Sequence, residues 1–336
     1  MATLNQIANT GFSGIAPVPY EQYAINKYLS KSDWFNLLEF KNMGRLLGNG
    51  NIAVDVLVYD TPQGAEFRHI GEEYAEDNAV GTPQVFYLKM LGGEFASDRV
   101  LQRSFSKDQN ALEAWTESQI SQKIYGIIRA FNKATIQGDS SVDPDSFDGF
   151  EKFLAANPDQ VESTYELEGG LTFNNALGLE VYINTLFAKL AYAPSGIITN
   201  RKGSALLKSL ESYRGRGYQV INVNDREYAS VMGVPIIIME DDAFVASDLE
   251  TGIPLYCVWV DLERGIHAVV PQEAAASGGQ IIDIVKPRVG TNDAGEAVFV
   301  RKGGCEVCST GPILVNPYAI SKGIVATTTA TTGTGE

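Results

Sequence analysis

Two histidines and three cysteines are the side chains in this sequence best suited to proton transfer, metal ligation or covalent catalysis. His69 lies in a polar stretch and His267 in an apolar run, and neither has a partner at a spacing that would orient its ring. Cys305-Glu306-Val307-Cys308 is a CxxC, and with Cys257 and His267 the count equals that of a zinc site of three Cys and one His. The surrounding residues read as a strand, where side chains three apart face opposite ways, so both thiols reach one metal only if a knuckle replaces the strand. Gly303, Gly304 and Gly311 do not require one, and the cysteines are expected as small apolar residues, buried or half-buried. Glu240-Asp241-Asp242 closes an apolar run, an arrangement that can hold a divalent cation at a strand end. No second carboxylate group is placed to complete such a site, so a solvated loop is expected. A G-x-S-x-G elbow, a P-loop and a G-x-G-x-x-G fingerprint are absent; Gly48-Asn49-Gly50 lacks the third glycine and precedes a strand. These residues predict no catalytic centre, no metal and no cofactor, and a protein that is not an enzyme.

The elements around them belong to a chain of 336 residues, 44% hydrophobic, with a mean hydropathy of -0.07, enough to bury a large core in two lobes. A net charge of -15 opposes phosphate binding, which depends on basic patches and counterion release. The stretch 139–168 holds five Asp and four Glu against one Lys, and is expected as a solvated, flexible loop. An odd number of cysteines suits a reducing compartment. No apolar run of membrane-spanning length and no basic n-region with an apolar core is present, so the chain is expected to stay in the cytoplasm where it is made.

Residues 1–32, with Pro17 and Pro19, read as an extended arm that needs a surface to lie on. A short packed segment, 34–47, leads into strands at 52–59 and 84–91, expected to pair as a long hairpin with an acidic tip. A two-stranded ribbon is marginal alone in water, so it too needs a partner surface. Residues 106–137 read as one long helix with a Ser106/Gln109 capping box and a stop at Gly138; its stripe runs Leu112, Trp115, Ile120, Ile124, Ile127, Ile128, Phe131. Gly126 inside it costs about 1 kcal/mol relative to Ala, a mark of close backbone approach or of chance. An α/β lobe follows: a helix at 171–191, a strand at 196–199, a helix at 204–213, and strands at 219–223 and 234–239. A hairpin of 254–262 with 266–270 and a strand at 281–285 continue it. Strands at 297–300 and 305–315 and a Thr-rich tail close the chain.

The order of arm, long hairpin, spine helix, Phe147-Asp148-Gly149-Phe150 turn and α/β lobe resembles the major capsid proteins of tailed bacteriophages. That is the phage and herpesvirus capsid fold shared with encapsulins. Further phrases carry the likeness: the helix 174–190 running into Pro194-Ser195-Gly196-Ile197-Ile198, then Met232-Gly233-Val234-Pro235-Ile236-Ile237. The resemblance implies an α+β fold: an N-terminal arm (1–32), an extended loop hairpin (51–91) that reaches over a neighbour, and a peripheral domain with the spine helix at about 107–137. The peripheral domain takes 33–50, 92–195 and 286–325, the axial domain 196–285, and the flexible tail 326–336. It also implies hexamers and pentamers in an icosahedral virion head around double-stranded DNA. Such a head is assembled in the host cytoplasm, with scaffolding, portal and decoration proteins as partners and no membrane.

Some family members cross-link through a loop lysine; here the loop's sole lysine, Lys89, stands on the returning strand, so no such bond is expected. About thirty residues ahead of Trp34 are too few for a scaffolding region, which implies a separate scaffold or a mature chain. Phe67, Arg68 and Glu73 at the hairpin tip, and Arg214 and Arg216 at the lobe's edge, are expected subunit contacts. They are charged or aromatic groups in segments without a core of their own. Two other readings stand beside the head: an encapsulin-like compartment around an enzyme cargo, and a nucleotide-binding α/β enzyme.

Overall fold

The structure is a computed structural model that describes residues 32–46, 52–59, 67–70, 73, 81–98, 109–213, 215, 217–224, 226–271, 282–285 and 300–328. The expected arm up to residue 31, Arg214, Arg216, the Ser106 cap, strand residues 297–299 and the Thr-rich end from 329 lie outside them. The chain begins with α1 (Asp33–Leu37), capped by the Ser32 hydroxyl, which accepts from the Phe35 N–H at 3.3 Å. Strands β1 (Phe40–Leu46), β2 (Ile52–Tyr59), β3 (Gly81–Tyr87) and β4 (Lys89–Asp98) follow, then α2 (Gln109–Gln137). The expected hairpin forms, with Ala53 opposite Tyr87 and Tyr59 opposite Gly81. Its return strand breaks at Leu88, whose buried side chain and N–H to Ile52 O anchor the ribbon's base. Lys89 onward departs into another sheet, where β4 pairs along its length with β13 (Val300–Ser309), which is flanked by β12 (Ile282–Val285).

Helix α2 spans about 43 Å at 1.5 Å per residue. Ile120, Ile124, Ile127, Ile128 and Phe131 are buried along one stripe, as their spacing dictates. After it come α3 (Phe150–Ala156), β5 (Tyr165–Glu168), α4 (Phe173–Ala188), β6 (Gly196–Thr199), α5 (Arg201–Tyr213), β7 (Gln219–Val223), β8 (Arg226–Val231) and β9 (Val234–Ile238). The acidic stretch 139–168 is therefore not a loop throughout. It folds because Phe147, Phe150 and Leu154 are drawn into the core, while Lys152 bridges Asp139 and Asp148 at 2.8 Å each. The last elements are α6 (Ala246–Thr251), β10 (Ile253–Val258), β11 (Ile266–Pro271), β14 (Pro312–Leu314) and β15 (Ile320–Thr328).

Seven strands in the order β5-β15-β10-β6-β9-β8-β7 make the central sheet. Its middle strands are buried on both faces, and successive residues feed two cores. Ile197, Ile236, Leu255 and Cys257 pack under α4 and α5, whereas Ile198, Ile237, Tyr256 and Val258 pack toward α1, α2 and α3. The expected hairpin of 254–262 with 266–270 is not formed. Strand β10 lies between β15 and β6, while β11 pairs with β1 and β14 in a five-stranded sheet. The Arg264-Gly265 turn instead carries the chain from one sheet to the other, and Gly265 is required because a Cβ would meet Asp261 N and Trp259 O at 2.8 Å. No helix among the described residues is long and apolar enough to cross a membrane.

Candidate assembly surfaces

At the hairpin tip Phe67 and Ile70 are fully exposed, at 108% and 105%, and Glu73 is also open to solvent. An aromatic and an aliphatic side chain held in water give the ribbon no core of its own. Arg68 donates from Nη1 to His69 O at 3.4 Å. Phe67, Arg68 and Glu73 are each exposed. The other two expected contacts, Arg214 and Arg216, flank Gly215, whose φ of 72° opens a left-handed turn between α5 and β7. Beside that turn Tyr213, Tyr218 and Val220 are 42%, 55% and 54% exposed.

Helix α4 adds a surface that the sequence reading missed. Ala176, Leu179, Ile183 and Leu186 face the sheet, yet Phe173, Leu177 and Val181 form a second apolar stripe on the outer side, 56% to 75% exposed. The signal was legible: i, i+4, i+8 spacing of Phe, Leu and Val in a helix already apolar on its other face.

Inside the subunit, polar groups fix the elements that carry these surfaces. The Lys322 ammonium on β15 lies 2.7 Å from Asp248 of α6 and 2.8 Å from Glu151 of α3, and the Tyr256 hydroxyl donates to Glu151 at 2.5 Å. Burial, with both carboxylates alongside, pushes the Tyr256 phenol far up, so it stays a donor. These partners are too far apart in sequence to be read as a group. The Glu240-Asp241-Asp242 cluster is held on the spine: Arg129 of α2 pairs with Asp242 at 2.6 Å and Glu240 at 3.3 Å, the Tyr125 hydroxyl donates to Glu240, and Gln137 donates to three carbonyls of the turn. It is a solvated loop after a buried strand, as expected, but a docked one.

The residues first considered for chemistry are dispersed. His267 is 3% exposed, and burial pushes its pKa down despite a contact of 3.3 Å from Nδ1 to Gly265 O. His69 is exposed on the tip. Cys257 is fully buried in the central sheet, where burial pushes its thiol up to about 12. Cys305 and Cys308 follow the alternation of β13, one buried and one half-buried, with Glu306 outward between them. Among the described residues, no three of His, Cys, Asp and Glu are grouped to hold a metal ion.

Comparison with solved structures assigns the fold. An encapsulin, SrpI of Synechococcus elongatus in its holo complex, superposes with a TM-score of 0.56 at 11% identity, over 94% of this chain and 93% of its own. The capsid of an empty GTA particle gives 0.51 at 16% identity over 95% and 94%. A chain of Mycobacterium phage Bobi gives 0.52 at 14% over 88% and 90%. The chain therefore has the capsid fold that tailed phages and encapsulins share. No family model matches the sequence, and no curated protein matches it.

Proposed function

We propose that the protein is the major structural subunit of an icosahedral phage head, assembling with itself into hexamers and pentamers around double-stranded DNA. The observation that carries this reading is a capsid fold matched over nearly the whole chain that also carries a hairpin ending in fully exposed Phe67 and Ile70. In that reading β2 and β3 are the extended loop over a neighbour, α2 is the spine of the peripheral domain, and 196–285 supply the axial domain. Repetition suffices for strength, since closed symmetry multiplies modest interfaces. The charge of -15 suits a wall that should not hold packaged DNA tightly. Scaffolding, portal and decoration proteins would be the further partners.

The superposition on an encapsulin favours a second reading, a cellular compartment around a protein cargo. The content of the particles separates the two. Shells isolated after expression with the neighbouring genes should protect DNA from nuclease, and the head reading is contradicted if they hold a stoichiometric enzyme and no DNA.

A further inference from the structure

Lys322, Asp248 and Glu151 bring a primary amine and two carboxyl groups together in a place from which water is largely displaced. The Lys322 Nζ lies 2.7 Å from Asp248 Oδ2 and 2.8 and 2.9 Å from the two Glu151 oxygens. The side chains of Lys322 and Asp248 are only 9% and 12% exposed, and that of Glu151 is 28% exposed. Aromatic rings close the site: Nζ stands 5.6 Å from the centre of the Tyr256 ring, on which Phe150 and Phe244 pack at 6.4 and 6.0 Å between centroids. An amine in contact with a carboxyl, beside a second carboxyl able to carry a proton, is the set of groups that amide formation requires. We propose that Lys322 and Asp248 condense into an isopeptide bond within the subunit, with Glu151 as the proton carrier.

The step balances without a co-reactant. In the ion pair the amine is protonated and cannot attack, but moving its proton to Asp248 gives a neutral amine beside a neutral carboxyl, and burial penalises the charged forms. Nζ then attacks Cγ of Asp248 and the C–N bond forms. Glu151 takes the proton that the attacking nitrogen sheds and passes it to the departing hydroxyl, so that one water leaves and Glu151 returns to its carboxylate. Nothing is oxidised or reduced. The contacts divide the two carboxyls between these roles. Glu151 reaches Nζ through both oxygens and accepts from the Tyr256 hydroxyl at 2.5 Å, against 3.4 Å to Asp248, which supports Glu151 as the anion. Asp248 is the more buried and reaches Nζ through one oxygen, which makes it the carboxyl more readily held neutral. Reactants fixed at contact distance have an effective concentration of up to about 10⁵–10⁸ M, far above that of a free amine and acid in water. The bond would tie α6 to β15 and close a covalent loop around strands β10 to β14. It forms from groups of one subunit, so it does not depend on the shell reading.

The test is mass spectrometry of the purified full chain, denatured and then digested. The parental protein should be lighter than its sequence by one water and should yield a branched peptide joining Lys322 to Asp248. Lys322→Arg keeps the positive charge between the carboxylates but removes the amine, and its mass should be that of its sequence with no branched peptide. Glu151→Gln keeps the size of the side chain and removes the proton carrier, so in freshly made protein the branched peptide should appear about a hundredfold more slowly or not at all. A parental chain at its full sequence mass, with separate peptides carrying residues 248 and 322, overturns the bond whether or not particles form. A branch from Lys322 to Glu151, or a Glu151→Gln chain that links as fast as the parent, overturns the roles assigned to the two carboxyls.

Discussion

Lys322 shows how single side chains hold this molecule together. Its 9% exposed ammonium is shared by two carboxylates from two helices, and removing one partner of a buried ionic group leaves the others desolvated and unpaired, at about 3–5 kcal/mol. Lys322→Met should therefore lower the thermal midpoint sharply, and an unchanged midpoint would show the cluster to be incidental. Lys152 acts at the surface and through pH. Its bond to Asp139, helped by the Ser141 hydroxyl, holds that carboxyl at about 2, below the ordinary 3.8. A depressed carboxylate contributes stability that is present above 3.8 and lost as pH falls toward 2. The midpoint difference between parental protein and Lys152→Met should be full at pH 5, shrink as pH falls below 3.8 and vanish only once pH has passed below about 2; a difference independent of pH would refute the pairing.

The Phe-Asp-Gly-Phe turn couples the spine helix to the core, and both its glycine, Gly149, and the glycine that stops the helix, Gly138, are sterically required. The Gly149 N–H donates to Gly138 O at 2.8 Å, and a Cβ on Gly149 would stand 2.5 Å from Ala134 O. Gly149→Ala should destabilise by about 1–3 kcal/mol through overpacking, read by urea unfolding. A neutral result would mean that the turn relaxes freely. Elements of this kind were legible where one local pattern decides them: the α2 stripe, the β2/β3 ribbon, and the Met232-Gly233 turn whose φ of 52° and 80° joins β8 to β9. Legibility failed where two equally apolar strands had to be assigned to sheets. Strands β10 and β11 are separated by a turn signal, yet their partners β15 and β1 lie far off in sequence. Acidic composition alone likewise hid the phenylalanines that fold 139–168. Among the candidate surfaces, the tip follows from a two-stranded ribbon that needs a partner surface.

For the assembled particle, the tip should matter to neighbours and not to the subunit. Arg68→Glu combined with Glu73→Lys keeps the local charge balance at exposed positions, so stability should stay within about 0.5 kcal/mol while particle yield falls. Unimpaired particles would remove both residues from the contact. The central claim is association itself, which negative-stain electron microscopy with sedimentation of the purified full chain tests most directly. Closed shells tens of nanometres across, or rings of five and six subunits, are the predicted result. A well-behaved monomer or dimer, with and without the neighbouring gene products, would contradict it.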